Sequence, residues 1–163
     1  MKNRKRNQKG FSLIELLIVV AIILIIAAIA IPNLLQARVA ANEASAVASI
    51  RTINIAQISY NDNYPTVGFA PTLTALGGTS CTPPDQTSAC MIDNLLASGT
   101  KNGYNFASTG IGTPAGSYFS VGSPLSGSGN RSFCSTEDGV IHYDPTGAVI
   151  PDHDSCNALT PLQ

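Results

Sequence analysis

The hydrophobic positions begin as a block. Residues 16–31 are sixteen consecutive apolar side chains, and residues 11–14 extend the block with Ser12 and Glu15 as its only polar interruptions. A helix needs about 20 predominantly apolar residues to cross a bilayer. After Pro32 the block gives way to a rhythm. Leu35, Val39, Ala46, Ile50, Ile53 and Tyr60 fall within one arc at the ~100° per residue of an α-helix. Leu34 and Ile55 lie off that arc, which predicts packing on a second side. No glycine occurs between Phe11 and Tyr64. One helix over residues 11–63 is therefore predicted, roughly 80 Å long at ~1.5 Å per residue. Pro32 removes the hydrogen bond to the Ala28 carbonyl and crowds it. A kink or loosened turn is expected over residues 28–32, able to unwind when the chain leaves a bilayer.

The remainder reads differently. Asn61-Asp62-Asn63-Tyr64-Pro65 stops the helix, and nine of the ten prolines and thirteen of the fourteen glycines follow residue 64. A short helix is predicted at 73–76, with Thr72 as N-cap and Gly77 as terminator. A second is predicted at 93–98, before Gly99. Short strands are expected at 104–108, 117–121, 131–135, 140–143 and 148–150. Asp144-Pro145-Thr146-Gly147 would form the turn between the last two. Tyr104 and Phe106 alternate with polar residues, as in a strand with one buried face. The fold class is α+β, a long N-terminal α-helix packed on a small antiparallel β-sheet head. The divisions are 1–10, a leader to be removed; 11–63, a long helix whose 11–31 portion is membrane-spanning; and 64–163, a globular head. The eight aromatic residues of the head from Tyr64 to Tyr143 read as its core.

Charge sharpens this division. Five of the nine basic residues (Lys2, Arg4, Lys5, Arg6 and Lys9) stand in the first ten positions, without an acidic neighbour. The other 153 residues hold four basic and all ten acidic side chains, a balance of −6. Such a body lacks the basic face of a nucleic-acid-binding domain. A basic tip before an apolar segment orients the chain with its tip in the cytoplasm. Cys81, Cys90, Cys134 and Cys156 then lie outside, where disulfides persist. An ordinary secretory signal peptide is the competing reading, with Ala28-Ile29-Ala30 as a cleavage site. The carboxylate within the apolar block and the helical pattern beyond it speak against that reading.

The junction reads Lys9-Gly10-Phe11-Ser12-Leu13-Ile14-Glu15-Leu16-Leu17. It resembles the type IV pilin family, which comprises pilins and the pilin-like subunits of type II secretion. The likeness is close over residues 1–35 and loose in the head. The resemblance implies the type IV pilin fold, cleavage after Gly10 by a prepilin peptidase and N-methylation of Phe11. Gly10, without a Cβ, suits an extended segment in a tight protease site. The family reading also implies that Glu15 pairs with the α-amine of a neighbouring subunit's Phe11. A carboxylate in the middle of a membrane helix costs about 2.5–3.5 kcal/mol and usually has a partner. Glu15 sits where the helix dipole favours an anion. Glu15 and Pro32 are the assembly residues in this reading.

The implied partners are identical pilins in a homopolymer, the prepilin peptidase, the inner-membrane assembly platform and its ATPases. The implied location is the bacterial inner membrane, with the head in the periplasm, and then the extracellular pilus. Adhesion, twitching motility and DNA uptake would be properties of the polymer. A major pseudopilin of a type II protein secretion system is the alternative. A third reading, an exported enzyme on a membrane tether, finds no catalytic signature, since Walker A, GxGxxG and GxSxG sequences are absent.

Four cysteines allow three pairings. The favoured one joins Cys81 to Cys90, closing a proline-containing loop, and Cys134 to Cys156, like the disulfide-bounded C-terminal region of many pilins. Their spacings match no CxxC-type zinc pattern. His142 and His153 are expected as surface residues flanking a hairpin. No cofactor is expected; Asp144, Asp152 and Asp154 are the candidates for Ca²⁺, as in the C-terminal loop of pilin-like secretion subunits, although they lack EF-hand spacing.

Overall fold

A stretch free of glycine and rich in apolar residues forms helix α1, Leu13–Asn63, in the computed structural model, which describes residues 10–78 and 81–162. The described residues fall into two units that divide after Ala37. In the first unit the helix is apolar all round, and none of its large apolar side chains is less than 47% exposed. The expected loosening at 28–32 does not interrupt the helix, which runs through Pro32. Proline removes one backbone bond, and the bonds of the flanking turns persist.

In the second unit the same helix becomes one-sided. Ala46, Ile50, Ile53, Ala56 and Tyr60 are buried, Val39 is half-buried and Leu35 is exposed. Leu34 and Ile55 are exposed as well, so the second packed side expected of them is not formed within one chain. Helix α2, Leu73–Leu76, starts where the Thr72 side chain accepts from the Ala75 N–H, and it ends at Gly77. Helix α3, Asn94–Ala97, has Asp93 accepting from the Leu96 N–H. Both contribute buried leucines, Leu76 and Leu96, to the core against α1.

The sheet is a six-stranded antiparallel meander, each strand pairing with the next in sequence. Its strands are β1 (Thr100–Lys101), β2 (Tyr104–Gly112), β3 (Ala115–Pro124), β4 (Ser132–Thr136), β5 (Ile141–Asp144) and β6 (Thr160–Pro161). Asn102 and Gly103 join β1 to β2 with φ of 48° and 78°, the left-handed pair of a type I′ hairpin. That Asn-Gly dipeptide was the sequence signal for β1. The run 148–150 forms no strand; β6 pairs with β5 instead, through His142 and Tyr143. The sheet edge is closed from further along the chain, beyond helix α4 (His153–Asn157). Local patterning does not register that long return.

Strand register decides what each face presents. Ser108, Ser120, Ser135 and Ile141 lie in one row facing α1, and Ala107, Val121, Cys134 and His142 in the next row face the other way. On the first face small side chains admit the helix closely and polar ones fix it. Gln57 is fully buried; its Nε2 donates to Ser108 Oγ at 2.8 Å and its Oε1 accepts the Ala70 N–H at 2.7 Å. Asn54 Nδ2 donates to Ser135 Oγ at 2.8 Å. These bonds satisfy groups that would otherwise be costly to bury. They also tie the helix to one register, since a turn's slip would orphan them.

Glu43 was legible only as a helix charge, yet it is buried. Its Oε1 accepts the Asn130 N–H at 2.9 Å, and its Oε2 accepts from Arg131 Nε at 2.8 Å, with Nη2 at 2.7 Å. The Arg131 guanidinium lies 5.5 Å from the Phe133 ring centroid and 5.6 Å from that of Tyr143. It therefore gains aromatic contact as well as charge. Burial, with the Glu43 charge adding to it, pushes the Tyr104 phenol up to about 12. Its Oη donates to the Arg131 carbonyl at 2.8 Å.

The opposite face is covered by α4. Cys156 joins Cys134, Thr136 Oγ1 bonds Asn157 Oδ1 at 2.9 Å, and His153 lies 2.9 Å from Glu137 and 3.2 Å from Asp154. Hydrogen bonds from His153 to Asp154 and Glu137 raise its pKa. Covered on both faces, β4 is buried along its whole length.

Two outcomes follow for the full chain in detergent micelles. Arg131→Leu strands a buried carboxylate and should lower stability by about 2–4 kcal/mol. The Glu43→Leu/Arg131→Leu double variant should lose less than the two single losses together, measured by urea titration; strict additivity would mean the pair is uncoupled. The raised His153 pKa means that its contribution is complete below the ordinary imidazole range and is lost as pH rises through the folded value. Wild-type melting temperature should therefore fall between about pH 6 and about pH 8 more than that of His153→Gln, by less than ~1 kcal/mol equivalent. Parallel slopes for the two proteins would remove His153 from the account.

Candidate processing and assembly site

Ser12 precedes the first helical residue, and its carbonyl accepts the N–H groups of Glu15 at 3.1 Å and Leu16 at 3.3 Å. Glu15 Oε2 in turn accepts the Ser12 N–H at 2.8 Å. Ser-Leu-Ile-Glu has the spacing of a capping box, in which the third helical residue reaches back to the cap. This role for Glu15 was readable in the sequence and is local. It places a carboxylate at the positive end of the helix dipole. One oxygen is committed to backbone, and Oε1 is left to accept from a cation.

Phe11 is 80% exposed, and a Cβ added at Gly10 would meet nothing within 4 Å. The chain's own fold therefore makes no demand for glycine at position 10. The basic residues Lys2, Arg4, Lys5, Arg6 and Lys9 lie outside the described residues. Pro32 stands inside the helix, exposed.

The other candidate residues lie in the second unit. Cys81 pairs with Cys90, and Cys134 with Cys156. His142 is 7% exposed, in β5, rather than at the surface as the sequence suggested; the α4 segment covers that face. The three aspartates are spent on local geometry. Asp144 accepts the Thr146 N–H at 2.6 Å, and Asp152 caps α4 by accepting the Ser155 N–H at 2.8 Å. The Thr146 hydroxyl foremost, and the Ser155 backbone foremost, hold these carboxyls below their ordinary range. Among the described residues Asp144, Asp152 and Asp154 form no common ligand set. The one cluster of three potential ligands there is Cys134, His142 and Cys156, two of them joined in a disulfide.

Residues 5–31 match the prokaryotic N-terminal methylation motif. The type IV wide pilus major component PilA4 of Thermus thermophilus is 71% identical over 38 residues, 23% of this chain and 29% of that protein. The type IV major pilin protein PilA of Myxococcus xanthus is 43% identical over 72 residues, 40% of this chain and 33% of that protein. The type II secretion system core protein G of Aeromonas hydrophila is 36% identical over 66 residues, 39% of this chain and 46% of that protein. The chain thus spans less than half the length of the curated relatives it matches. No solved structure matches it significantly. In its N-terminal methylation motif the chain is similar to type IV pilins, and its long apolar helix and antiparallel sheet are consistent with their fold.

Proposed function

We propose that the chain is a type IV pilin precursor, which polymerises through its N-terminal helix into an extracellular filament. The observation that carries this reading is the sequence from Gly10 to Leu17 at the head of a helix whose apolar side chains have no cover among the described residues. Such a helix requires lipid or copies of itself around it. Before assembly residues 11–31 hold the subunit in the inner membrane, with the head in the periplasm. Cleavage after Gly10 removes the basic tip and creates an α-amine at Phe11, which a prepilin peptidase would methylate. A methylated amine remains cationic.

In this reading the free oxygen of Glu15 accepts from the Phe11 amine of a neighbouring subunit. In a filament core of low dielectric that attraction is strong, and it sets the axial stagger between helices. Pro32 leaves one carbonyl, that of Ala28, without its helical donor, and marks where the helix can loosen as it moves from lipid to filament. The inner-membrane assembly platform and its ATPases would supply the work, because the chain has no nucleotide-binding sequence. Adhesion, twitching motility or DNA uptake would belong to the polymer. The disulfides Cys81–Cys90 and Cys134–Cys156 would stabilise the exported head, each by ~2–4 kcal/mol. The second reading, a type II secretion pseudopilin, is favoured by the likeness to the Aeromonas hydrophila core protein.

Glu15→Ala should leave cleavage after Gly10 intact, read as an N-terminus at Phe11, and should abolish filaments sheared from the cell surface. Normal filament yield from that variant would overturn the proposed role of Glu15. Electron microscopy of cells expressing the wild-type chain at native level separates the two readings. Long surface filaments containing this chain support the pilin, and secretion loss without such filaments supports the pseudopilin.

A further inference from the structure

Cys134 and His142 are direct cross-strand partners in β4 and β5, so their side chains leave the sheet on the same face. Cys156, from α4, comes down on that face. Its Sγ lies 4.0 Å from His142 Nδ1, and the two sulfurs and the imidazole nitrogen are all within 4.8 Å of one another. Both cysteines are fully buried and His142 is 7% exposed. Among the described residues no carboxylate, ammonium or guanidinium pairs with the His142 ring. The titratable groups facing it are therefore Cys134 from β4 and Cys156 from α4. A nearly buried imidazole directed at a sulfur, with no charged partner, has no role in holding the finished disulfide. Among the described residues no third ligand of this kind accompanies Cys81 and Cys90.

We infer that His142 is the proton acceptor that closes the Cys134–Cys156 disulfide during maturation. The order of the chain supplies the sequence of events. The β4–β5 hairpin presents Cys134 beside His142 before α4 is in place. The Cys134 thiolate attacks an external disulfide oxidant, RSSR, forming a mixed disulfide and releasing one RS⁻, which takes up the proton that Cys134 lost. Docking of α4 then brings Cys156 against the imidazole. His142 Nδ1 takes the Cys156 thiol proton, and the resulting thiolate attacks Cys134 Sγ. The Cys134–SR bond breaks as the Cys134–Cys156 bond forms, and the departing RS⁻ receives the proton from His142. In sum two thiols and one RSSR become one protein disulfide and two RSH. The thiolate is the reacting species in each exchange, so a neighbouring base acts where free cysteine would be mostly protonated.

The test uses the full-length chain, reduced and unfolded, then diluted into detergent micelles with glutathione disulfide. Both disulfides are quantified by quenched peptide mapping, which makes Cys81–Cys90 an internal clock. A thiol pKa about one unit lower raises the thiolate fraction about tenfold at neutral pH and lowers the thiolate's nucleophilicity about threefold, so His142→Gln should close Cys134–Cys156 about threefold more slowly there. The difference should vanish towards about pH 9, with Cys81–Cys90 unchanged throughout. A slowdown equal at every pH, or none, would overturn the inference. A second measurement needs no His142 variant. In Cys134→Ser the Cys156 thiol remains beside the imidazole, and its alkylation rate should inflect well below the ordinary thiol value of about 8.5. An inflection at the ordinary value refutes the role. The inference is independent of whether the chain polymerises.

Discussion

Apolar surface without a protein partner is the constraint on which everything else depends. The first unit of the chain is a helix with large aliphatic side chains on every side, and nothing among the described residues covers them. In water such a surface drives aggregation; in lipid or among copies of itself it is satisfied. On the proposed pilin reading, the helix is delivered to a membrane, held there and later surrounded by equivalent helices. The basic tip, the single carboxylate and the proline are all intelligible as provisions for those stages. Glu15 is the informative exception in an otherwise apolar block, because its local bond to the Ser12 N–H leaves it half satisfied.

The same helix solves a different problem beyond Ala37. There it buries one face against a meander sheet, and the other face stays exposed, Ile55 and Ile58 included. Its attachment is not purely hydrophobic. Gln57 and Asn54 each reach a specific group on the sheet, and Glu43 reaches the loop leading into β4. Buried polar contacts of this kind add little net stability, since desolvation offsets most of the gain. What they add is definition, because a shifted register would break these bonds together. On the proposed pilin reading, a head fixed in register on its helix presents the same surface from every subunit of the polymer.

The reverse face of the sheet follows a covalent logic. It would be open if α4 did not return to cover it, and the segment from α4 to β6 is only ten or so residues with few apolar side chains of its own. Its attachment rests on Cys134–Cys156, the packing of Leu159 in a cluster with Phe119, Val121 and Ile150, the β5–β6 pairing, the Thr136–Asn157 bond and the His153 contacts. A late-arriving, weakly hydrophobic segment gains most from a crosslink, and a crosslink formed late gains most from a base positioned at its sulfur. His142 occupies that place.

Local chemistry was enough to determine the long helix, its change of character near Pro32, the two short capped helices and four of the six strands. Each is set by neighbours within a few residues: an apolar run, a Thr72 or Asp93 cap, an alternation such as Tyr104 and Phe106. The junction at Gly10, Phe11 and Glu15 is legible for the same reason, since its chemistry is carried by adjacent positions. The Asn102-Gly103 turn and the Ser12–Glu15 capping box were equally local and equally readable. Only the tertiary structure decided the rest. Glu43 reads as a solvated helix charge until Arg131, far along the chain, is brought beside it. His142 reads as a surface residue until α4 covers it. The run 148–150 reads as a strand until the chain end takes the sheet edge in its place. In each case burial is imposed by a segment distant in sequence, and no pattern of period two or 3.6 registers which segment that will be.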